Sequence, residues 1–297
     1  MIIKNMNNCR VIKIATPKKY LLNGLYFGPD KAKNIFIFLH GLGGSAFSML
    51  DLIQQISGRE TGVITFNNRG YGTINRVYKE DKREPRGYKG YTMGMAHEVF
   101  TDCVDDIDGA VNFARHFKPR NIFLVGHSTG CQKSVYYLSK RKNSPVTGAV
   151  LLAPMSDFAD MFAQTDKKLY KKLVSLAQNM VKNGRTHDLM PANLWPVPLD
   201  AQRFLSLFEP SSIEEIFSYA SGKKPRILQS ARKPLLVVLA EEDEYRDRPI
   251  VDIASWFNDV LKNKATIEII KGAIHNFGTY EKTVAKKIKD WQTKVLN

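Results

Sequence analysis

The feature that most restricts the fold of this chain is a series of short, nearly continuous apolar runs. "NIFIFLHG" at 34–41 and "NIFLVGH" at 121–127 are typical of them. Strands that are buried on both faces of a sheet have this pattern, since neither face alternates with solvent. The predicted buried strands are 34–41, 62–68, 121–127, 148–154, 234–243 and 266–275. Two closely spaced runs before them, 10–16 and 20–28, predict an antiparallel start.

Helical patterns occupy most intervals between these runs. From Phe100 onward, and again within 253–260 and 284–295, apolar residues recur at the spacing of one helix face. Parallel strands need long crossover connections, and helices of this kind supply them. The sequence therefore predicts an α/β fold with a mostly parallel, eight-stranded sheet and helices on both faces.

One interval breaks the alternation of strand and helix. Residues 155–232 contain helical patterns and the proline-rich stretch "MPANLWPVPLD" at 190–200, but no convincing strand. The prolines prevent a long helix there. No linker composition marks a domain boundary, and a chain of 297 residues is within the range of one α/β unit. We expect a single domain over 1–297, with a helical cap at 155–232 inserted after the sixth strand.

Composition limits the partners and the compartment of the protein. The formal net charge is +15, but the basic residues are dispersed and no nucleic-acid-binding motif accompanies them. We interpret the excess as a solvated basic surface and expect no nucleic-acid partner. Three cysteines are too few for a disulfide framework. Without a signal-peptide pattern or a long apolar stretch, we expect a cytoplasmic protein with no membrane span.

The stretch "GHSTG" at 126–130 follows a predicted buried strand and opens a helical pattern. A serine at such a position is often only a helix cap. However, G-x-S-x-G at a strand-to-helix junction is also the nucleophile elbow, in which a strained turn lifts the serine hydroxyl above the sheet. Small residues on either side let strand and helix approach each other closely. We predict that Ser128 is a nucleophile.

A nucleophilic serine needs a base that is oriented by an acid. In this architecture the order along the chain is serine, acid, histidine, and His187 and His275 follow Ser128. His187 falls in the cap, so we predict His275, which comes after the last strand, as the base. Asp243 in "LAEEDEYRD" is the preferred acid, and Asp157 after the sixth strand is the alternative. The neighbouring carboxylates are expected to be solvated turn charges: Glu241, Glu242 and Glu244.

The glycine-rich turn "HGLGGS" at 40–45 follows the third predicted strand. A tetrahedral intermediate requires two preorganised N–H donors for its oxyanion. The backbone N–H groups of Leu42 and Thr129 are the predicted donors. A nucleotide phosphate cradle is disfavoured, because the turn matches neither G-x-G-x-x-G nor a Walker motif.

Four segments, "HGLGG", "GHSTG", "AEEDEY" and "GAIHNF", occur in an order that resembles the α/β-hydrolase superfamily over nearly the whole chain. This resemblance implies Ser128 as nucleophile, Asp243 as acid, His275 as base, and an oxyanion hole at Leu42 and Thr129. "GHSTGCQ" and the cap stretch "PLDAQRFLSLFEP…EEIFSYAS" are similar to the branch that includes fungal siderophore esterases. The chain departs from the family pattern at Ala240, where glycine is frequent, and in a lysine-rich cap.

Together these features predict a serine hydrolase that cleaves a small-molecule carboxylic ester through an acyl-enzyme on Ser128, without a metal or an organic cofactor. The alternatives are hydrolysis of a thioester, amide or carbon–carbon bond, and a non-catalytic small-molecule binding protein on the same fold. Apolar cap residues are expected to line the substrate pocket: Phe158, Met161, Phe162, Leu194 and Trp195. The sequence makes no prediction about the oligomeric state.

Overall fold

The computed structural model describes residues 9–262 and 264–297. Within them, one sheet contains ten strands: β1 (Cys9–Ala15), β2 (Tyr20–Phe27), β3 (Asn34–Leu39), β4 (Thr61–Phe66), β5 (Asn75–Glu80), β6 (Tyr88–Met93), β7 (Asn121–His127), β8 (Val146–Leu152), β9 (Leu235–Ala240) and β10 (Ala265–Ile270). The α-helices are α1 (Leu50–Ile56), α2 (Cys103–Arg115), α3 (Thr129–Lys140), α4 (Asp157–Gln164), α5 (Lys167–Lys182), α6 (Ala201–Phe208), α7 (Arg226–Ser230), α8 (Ile250–Leu261) and α9 (Glu281–Leu296). In the described ranges, none of the helices combines the length and the apolar character that crossing a membrane requires.

The parallel part of the sheet has the strand order β10-β9-β8-β7-β3-β4. β2 pairs antiparallel with β4, β1 pairs antiparallel with β2, and β5 and β6 complete this side of the sheet. Carboxyl ends of parallel strands lie at one sheet edge, where α/β proteins bind their ligands. The segments that follow β3, β7, β8, β9 and β10 therefore meet at this edge.

The predicted eight-stranded sheet was wrong in number, since β5 and β6 were not anticipated. These two strands form a hairpin at the end of the sheet, and Val77 is the one fully buried residue within them. Their sequences, "NRVYKE" and "YKGYTM", are mostly polar. A hairpin that is largely exposed needs no continuous apolar run, so the pattern that identified the buried strands does not occur there.

Alternate residues of the central strands supply the two apolar layers. In β3, Ile35 and Ile37 belong to the layer covered by α2, α3 and α8, whereas Phe36 and Phe38 belong to the layer covered by α1 and α9. This alternation follows from the period-two geometry of a strand. Helices lie on both faces of a mostly parallel sheet, and this part of the fold prediction is confirmed.

The segment 153–234, between β8 and β9, holds α4, α5, α6 and α7. Three of these helices begin at side-chain caps: Ser156 for α4, Asp166 for α5 and Asp200 for α6. Residues of α4, α5 and α6 form an apolar cluster of their own, in which Leu173 and Phe204 are fully buried. This helical segment follows β8, so it is connected directly to the carboxyl edge of the sheet.

Buried charges join the helical segment to the sheet. Glu98, which precedes α2, lies 2.5 Å from Lys133 Nζ of α3 and 2.9 Å from Arg203 Nη2 of α6. The Arg203 guanidinium also pairs with Glu214. All four side chains are buried. Since an unpaired buried charge is strongly destabilising, this network holds α6 against the core.

Candidate active site

Ser128 occupies a sharp turn between β7 and α3. Its backbone has φ 53° and ψ −126°, a conformation that non-glycine residues rarely adopt. The Ser128 side chain makes no capping hydrogen bond to α3, although it occupies the N-cap position. Helix capping therefore does not explain the strained backbone of Ser128, and the residue lines a cavity instead.

The two glycines of "GHSTG" allow this turn. A Cβ atom on Gly126 would lie 2.3 Å from the carbonyl oxygen of Gly130, and one on Gly130 would lie 2.2 Å from the carbonyl oxygen of Leu39. No side chain can be accommodated at such distances from backbone atoms. The Cys131 thiol is also buried here, and its Sγ donates to the carbonyl oxygens of Gly126 and Leu152 at 3.2 Å. Strand and helix are thus held in close contact around Ser128.

Asp243 and His275 form a hydrogen-bonded pair beside this cavity. Asp243 is fully buried, and its Oδ2 lies 2.8 Å from Nδ1 of His275. The loop between β10 and α9 carries His275, and the turn after β9 carries Asp243. A carboxylate at Nδ1 places the proton on that nitrogen and leaves Nε2 as the basic atom. His275 and Ser128 line the same cavity.

The structure separates Asp243 from the alternative acid. Asp157 accepts a hydrogen bond from Nε2 of Gln132 on α3 (3.0 Å), whereas Asp243 is the acid bonded to the imidazole. Two of the turn carboxylates make contacts that are typical of solvated turn charges: Glu241 accepts a hydrogen bond from the Gly272 backbone N–H, and Glu242 pairs with Arg246. The third, Glu244, differs because it accepts a hydrogen bond from the backbone N–H of His275.

Three neighbours hold His275 in place, and the sequence analysis assigned none of them this role. Glu244 accepts the His275 backbone N–H at 2.9 Å, and the Tyr245 ring packs edge-on against the imidazole at 4.7 Å. His127 Nε2 donates to the His275 carbonyl oxygen at 3.0 Å. Burial and the proximity of His275 lower the pKa of His127 to about 4, so this donor is neutral. Glu244 and Tyr245 follow Asp243 in the sequence, and His127 precedes Ser128. This proximity to predicted site residues was the one sequence feature that could have identified them.

The loop after β3 approaches Ser128 closely. A Cβ on Gly41 would lie 2.9 Å from the Ser128 Cβ, so only glycine lets the backbone pass at this point. Leu42, the next residue, lines the cavity. Thr129 is the first residue of α3, and the N–H of a first helical residue has no acceptor within its helix. The structure thus brings both predicted oxyanion donors, Leu42 and Thr129, to the surroundings of Ser128.

A cavity of about 800 Å³ opens over these residues. Of the five predicted wall residues, Met161 and Trp195 line it. Phe158, Phe162 and Leu194 do not: Phe158 and Leu194 pack in the cluster of the helical segment, and Phe162 is 39% exposed. The remaining wall combines polar and apolar groups, including Met49, Met155, Ser156, Asp157, Asp160, Gln164, Thr165, Val197, Leu199, Phe208 and Asn276. Among the described residues, no three His, Cys, Asp or Glu side chains are grouped so as to hold a metal ion.

The mostly parallel sheet, the strained serine turn and the buried acid–imidazole pair are those of the α/β-hydrolase fold. The siderophore hydrolase EstB from Aspergillus fumigatus superposes with a TM-score of 0.68 at 18% identity, over 98% of this chain and 100% of that one. The model of the family described as "Protein of unknown function (DUF1749)" matches residues 85–295. The chain belongs to this family.

The curated relatives include two that are named as esterases. "Putative esterase/lipase 2" of Mycoplasma genitalium is 25% identical over 270 residues, which are 89% of this chain and 90% of the relative. "Fusarinine C esterase sidJ" of Aspergillus fumigatus is 30% identical over 128 residues, which are 31% of this chain and 36% of that protein. The chain is thus similar to proteins named as esterases.

Proposed function

We propose that this α/β hydrolase is a serine carboxylic ester hydrolase that forms an acyl-enzyme on Ser128. One observation carries the proposal: Ser128 and His275 line the same cavity. Ser128 has a strained backbone and makes no capping hydrogen bond, and the His275 imidazole is hydrogen-bonded to the buried Asp243. The names of the two relatives support an ester as the substrate.

The reaction proceeds in two steps. Ser128 Oγ attacks the ester carbonyl carbon while His275 Nε2 takes the hydroxyl proton, and Asp243 stabilises the imidazolium. The N–H groups of Leu42 and Thr129 hold the negative oxygen of the tetrahedral intermediate. The intermediate collapses, the carbon–oxygen bond to the alcohol breaks, and His275 protonates the departing alcohol. Water, deprotonated by His275, then attacks the acyl-enzyme. The second tetrahedral intermediate collapses, the bond from the acyl carbon to Ser128 Oγ breaks, and His275 returns the proton to Oγ as the carboxylic acid is released.

We assign the segment 155–232 the role of a cap within a single domain that spans 1–297. Residues of α4 and of the stretch 195–208 line the cavity above Ser128, so this segment determines which esters fit. The cavity has the size of a small-molecule site, and we propose a small-molecule ester as the substrate.

Labelling with a fluorophosphonate tests the nucleophile. Intact-mass measurement is expected to show one adduct on the wild type and none on Ser128→Ala. Ser139→Ala is the matched control, because Ser139 lies at the far end of α3 and its hydroxyl donates to the Tyr136 carbonyl oxygen of the same helix. Absence of an adduct from wild type and control would contradict the proposal and favour a non-catalytic binding protein.

A substrate panel then tests the bond that is cleaved. Esters of increasing acyl length, a thioester, an anilide and a diketone are compared by kcat/KM on the wild type and on Ser128→Ala. We expect the esters to be the best substrates and Ser128→Ala to lose their turnover. A thioester, amide or carbon–carbon bond that is cleaved faster than every ester would replace the proposed reaction with that one.

A further inference from the structure

The charge of the catalytic cavity is opposite to that of the whole protein. The chain has a net charge of +15, yet no lysine or arginine occurs among the described residues that line the cavity. The acidic side chains of the wall are Asp157 and Asp160, both on α4. Neither is used in the proposed ester hydrolysis, so their position in the substrate cavity requires another explanation.

Asp160 provides the negative charge of this wall. Its hydrogen-bond donor is Nε2 of Gln164, a neutral amide one turn further along α4. Burial raises the pKa of Asp160 to about 6, with Asp243 and Asp247 contributing in the same direction, so the carboxylate is charged at neutral pH. Its negative charge is therefore available to a ligand in the cavity.

Asp157 is held differently. Gln132 Nε2 donates to it at 3.0 Å, and burial raises its pKa well above the ordinary value, with Glu214 adding to the effect. Arg203 lowers that pKa, but its guanidinium is already paired with Glu98 and Glu214. Asp157 thus adds a polar group to the wall, and Asp160 adds the charge.

Aromatic rings form a second part of the wall. Trp195, Phe208 and Tyr245 line the cavity, and the rings of Trp195 and Phe208 meet edge to face at 5.4 Å. The indole nitrogen of Trp195 is buried without a hydrogen-bond partner among the described residues. Aromatic faces attract cations, and a carboxylate beside them adds a direct charge interaction. A wall that combines aromatic rings with a carboxylate whose hydrogen-bond donor is a neutral amide favours a cationic ligand.

We infer that the catalytic cavity selects esters that carry a positively charged nitrogen, and that Asp160 is the residue that determines this specificity. The inference rests on the proposed ester hydrolysis and adds the chemical class of the substrate. An anionic ester would be attracted by the basic surface but repelled by Asp160 in the partly desolvated cavity. A cationic ester gains there an interaction that a neutral ester of the same shape lacks.

Choline butyrate and 3,3-dimethylbutyl butyrate test the inference, because they differ only in a quaternary nitrogen or carbon. The readout is the ratio of their kcat/KM values, which cancels any general loss of activity. We expect a ratio of about ten or more in favour of the cation for the wild type, since one charge interaction in a partly buried site has that magnitude. Asp160→Asn should lower the ratio about tenfold, and Asp259→Asn, an exposed change on α8, should leave it unchanged.

A ratio near one for the wild type, with both esters hydrolysed, would overturn the inference and leave the proposed ester hydrolysis standing. Failure of Ser128 to react with a fluorophosphonate would instead overturn the proposed function.

Protection of Ser128 from labelling gives a second test that needs no turnover. Choline should protect at about tenfold lower concentration than 3,3-dimethylbutanol, and Asp160→Asn should abolish this difference. Equal protection by the two alcohols would also overturn the inference.

Discussion

The buried charge network between the sheet and the helical segment predicts a large effect for Glu98→Gln. The change keeps the shape of the side chain but removes the charge that faces Lys133 Nζ at 2.5 Å and Arg203 Nη2 at 2.9 Å. Arg203 retains Glu214 as a partner, whereas Lys133, which is 1% exposed, loses its carboxylate. The variant therefore leaves a buried ammonium group without a paired carboxylate among the residues that the structure describes.

The magnitude follows from the pKa of Glu98. Burial raises this pKa, but the opposing effect of Lys133, Arg203 and His40 is larger. The pKa of Glu98 is therefore lowered from the ordinary 4.5 to about 2. This difference corresponds to about 3 kcal/mol in favour of the charged carboxylate in the folded protein. Removing one partner of a buried ion pair typically costs about 3–5 kcal/mol. We expect Glu98→Gln to lower the free energy of unfolding at pH 7 by about 3 kcal/mol.

Urea unfolding followed by circular dichroism measures this loss. Because the folded-state pKa of Glu98 is lowered, its stabilisation is complete above pH 4.5 and is lost as the pH falls towards 2. The difference between wild type and variant should thus be constant from pH 8 to pH 5 and shrink below pH 4.5. A loss below about 1 kcal/mol at pH 7, or a difference that already shrinks between pH 8 and pH 6, would refute the reasoning.

Glu60→Gln is the matched control for this experiment. Glu60 pairs with Lys33, but both side chains are about half exposed. Exposed ion pairs contribute less than about 1 kcal/mol, so the control should unfold nearly as the wild type does. A comparable loss in both variants would show that burial of the Glu98 network is not the cause.

Three further predictions concern the site. Gly130→Ala should abolish fluorophosphonate labelling and lower the urea midpoint, because the new Cβ would lie 2.2 Å from a carbonyl oxygen of β3; a variant that labels normally would contradict this. Asp243→Asn should lower kcat for the best ester by about 10⁴ without unfolding the protein, since His275 loses the carboxylate that sets its tautomer; a loss below about tenfold would argue against Asp243 as the acid. The preference for choline butyrate should rise as the pH increases from 5 to 7, because Asp160, which faces Asp243, Asp247 and His275, ionises with a pKa of about 6; a ratio that does not change with pH would contradict this.

Local patterns in the sequence were sufficient for the central architecture. The apolar runs that became β3, β7, β8 and β9 identify buried strands because such strands exclude water on both faces. The restriction at Gly126 is also local, since a Cβ there would meet the carbonyl oxygen of Gly130 within the same turn, whereas Gly130 is restricted by Leu39 of β3. Features of this kind depend on neighbours along the chain and can be read without the fold.

Other features needed the tertiary structure, which also showed that Asp243, and not the alternative Asp157, is the acid bonded to His275. Several contacts join segments that are far apart in sequence. They are the hydrogen bond between His275 and Asp243, the hydrogen bond from Gln132 to Asp157, and the ion pair between Glu98 and Lys133. The edge strands β5 and β6 were missed because they are stabilised by pairing and not by a buried apolar face. Which residues of the helical segment line the cavity depends on how each helix is rotated against its neighbours, and amphipathic spacing alone does not specify that rotation. Sequence thus predicted the central strands and the candidate nucleophile Ser128, and tertiary packing determined which carboxylate bonds His275, which residues line the cavity and what charge they carry.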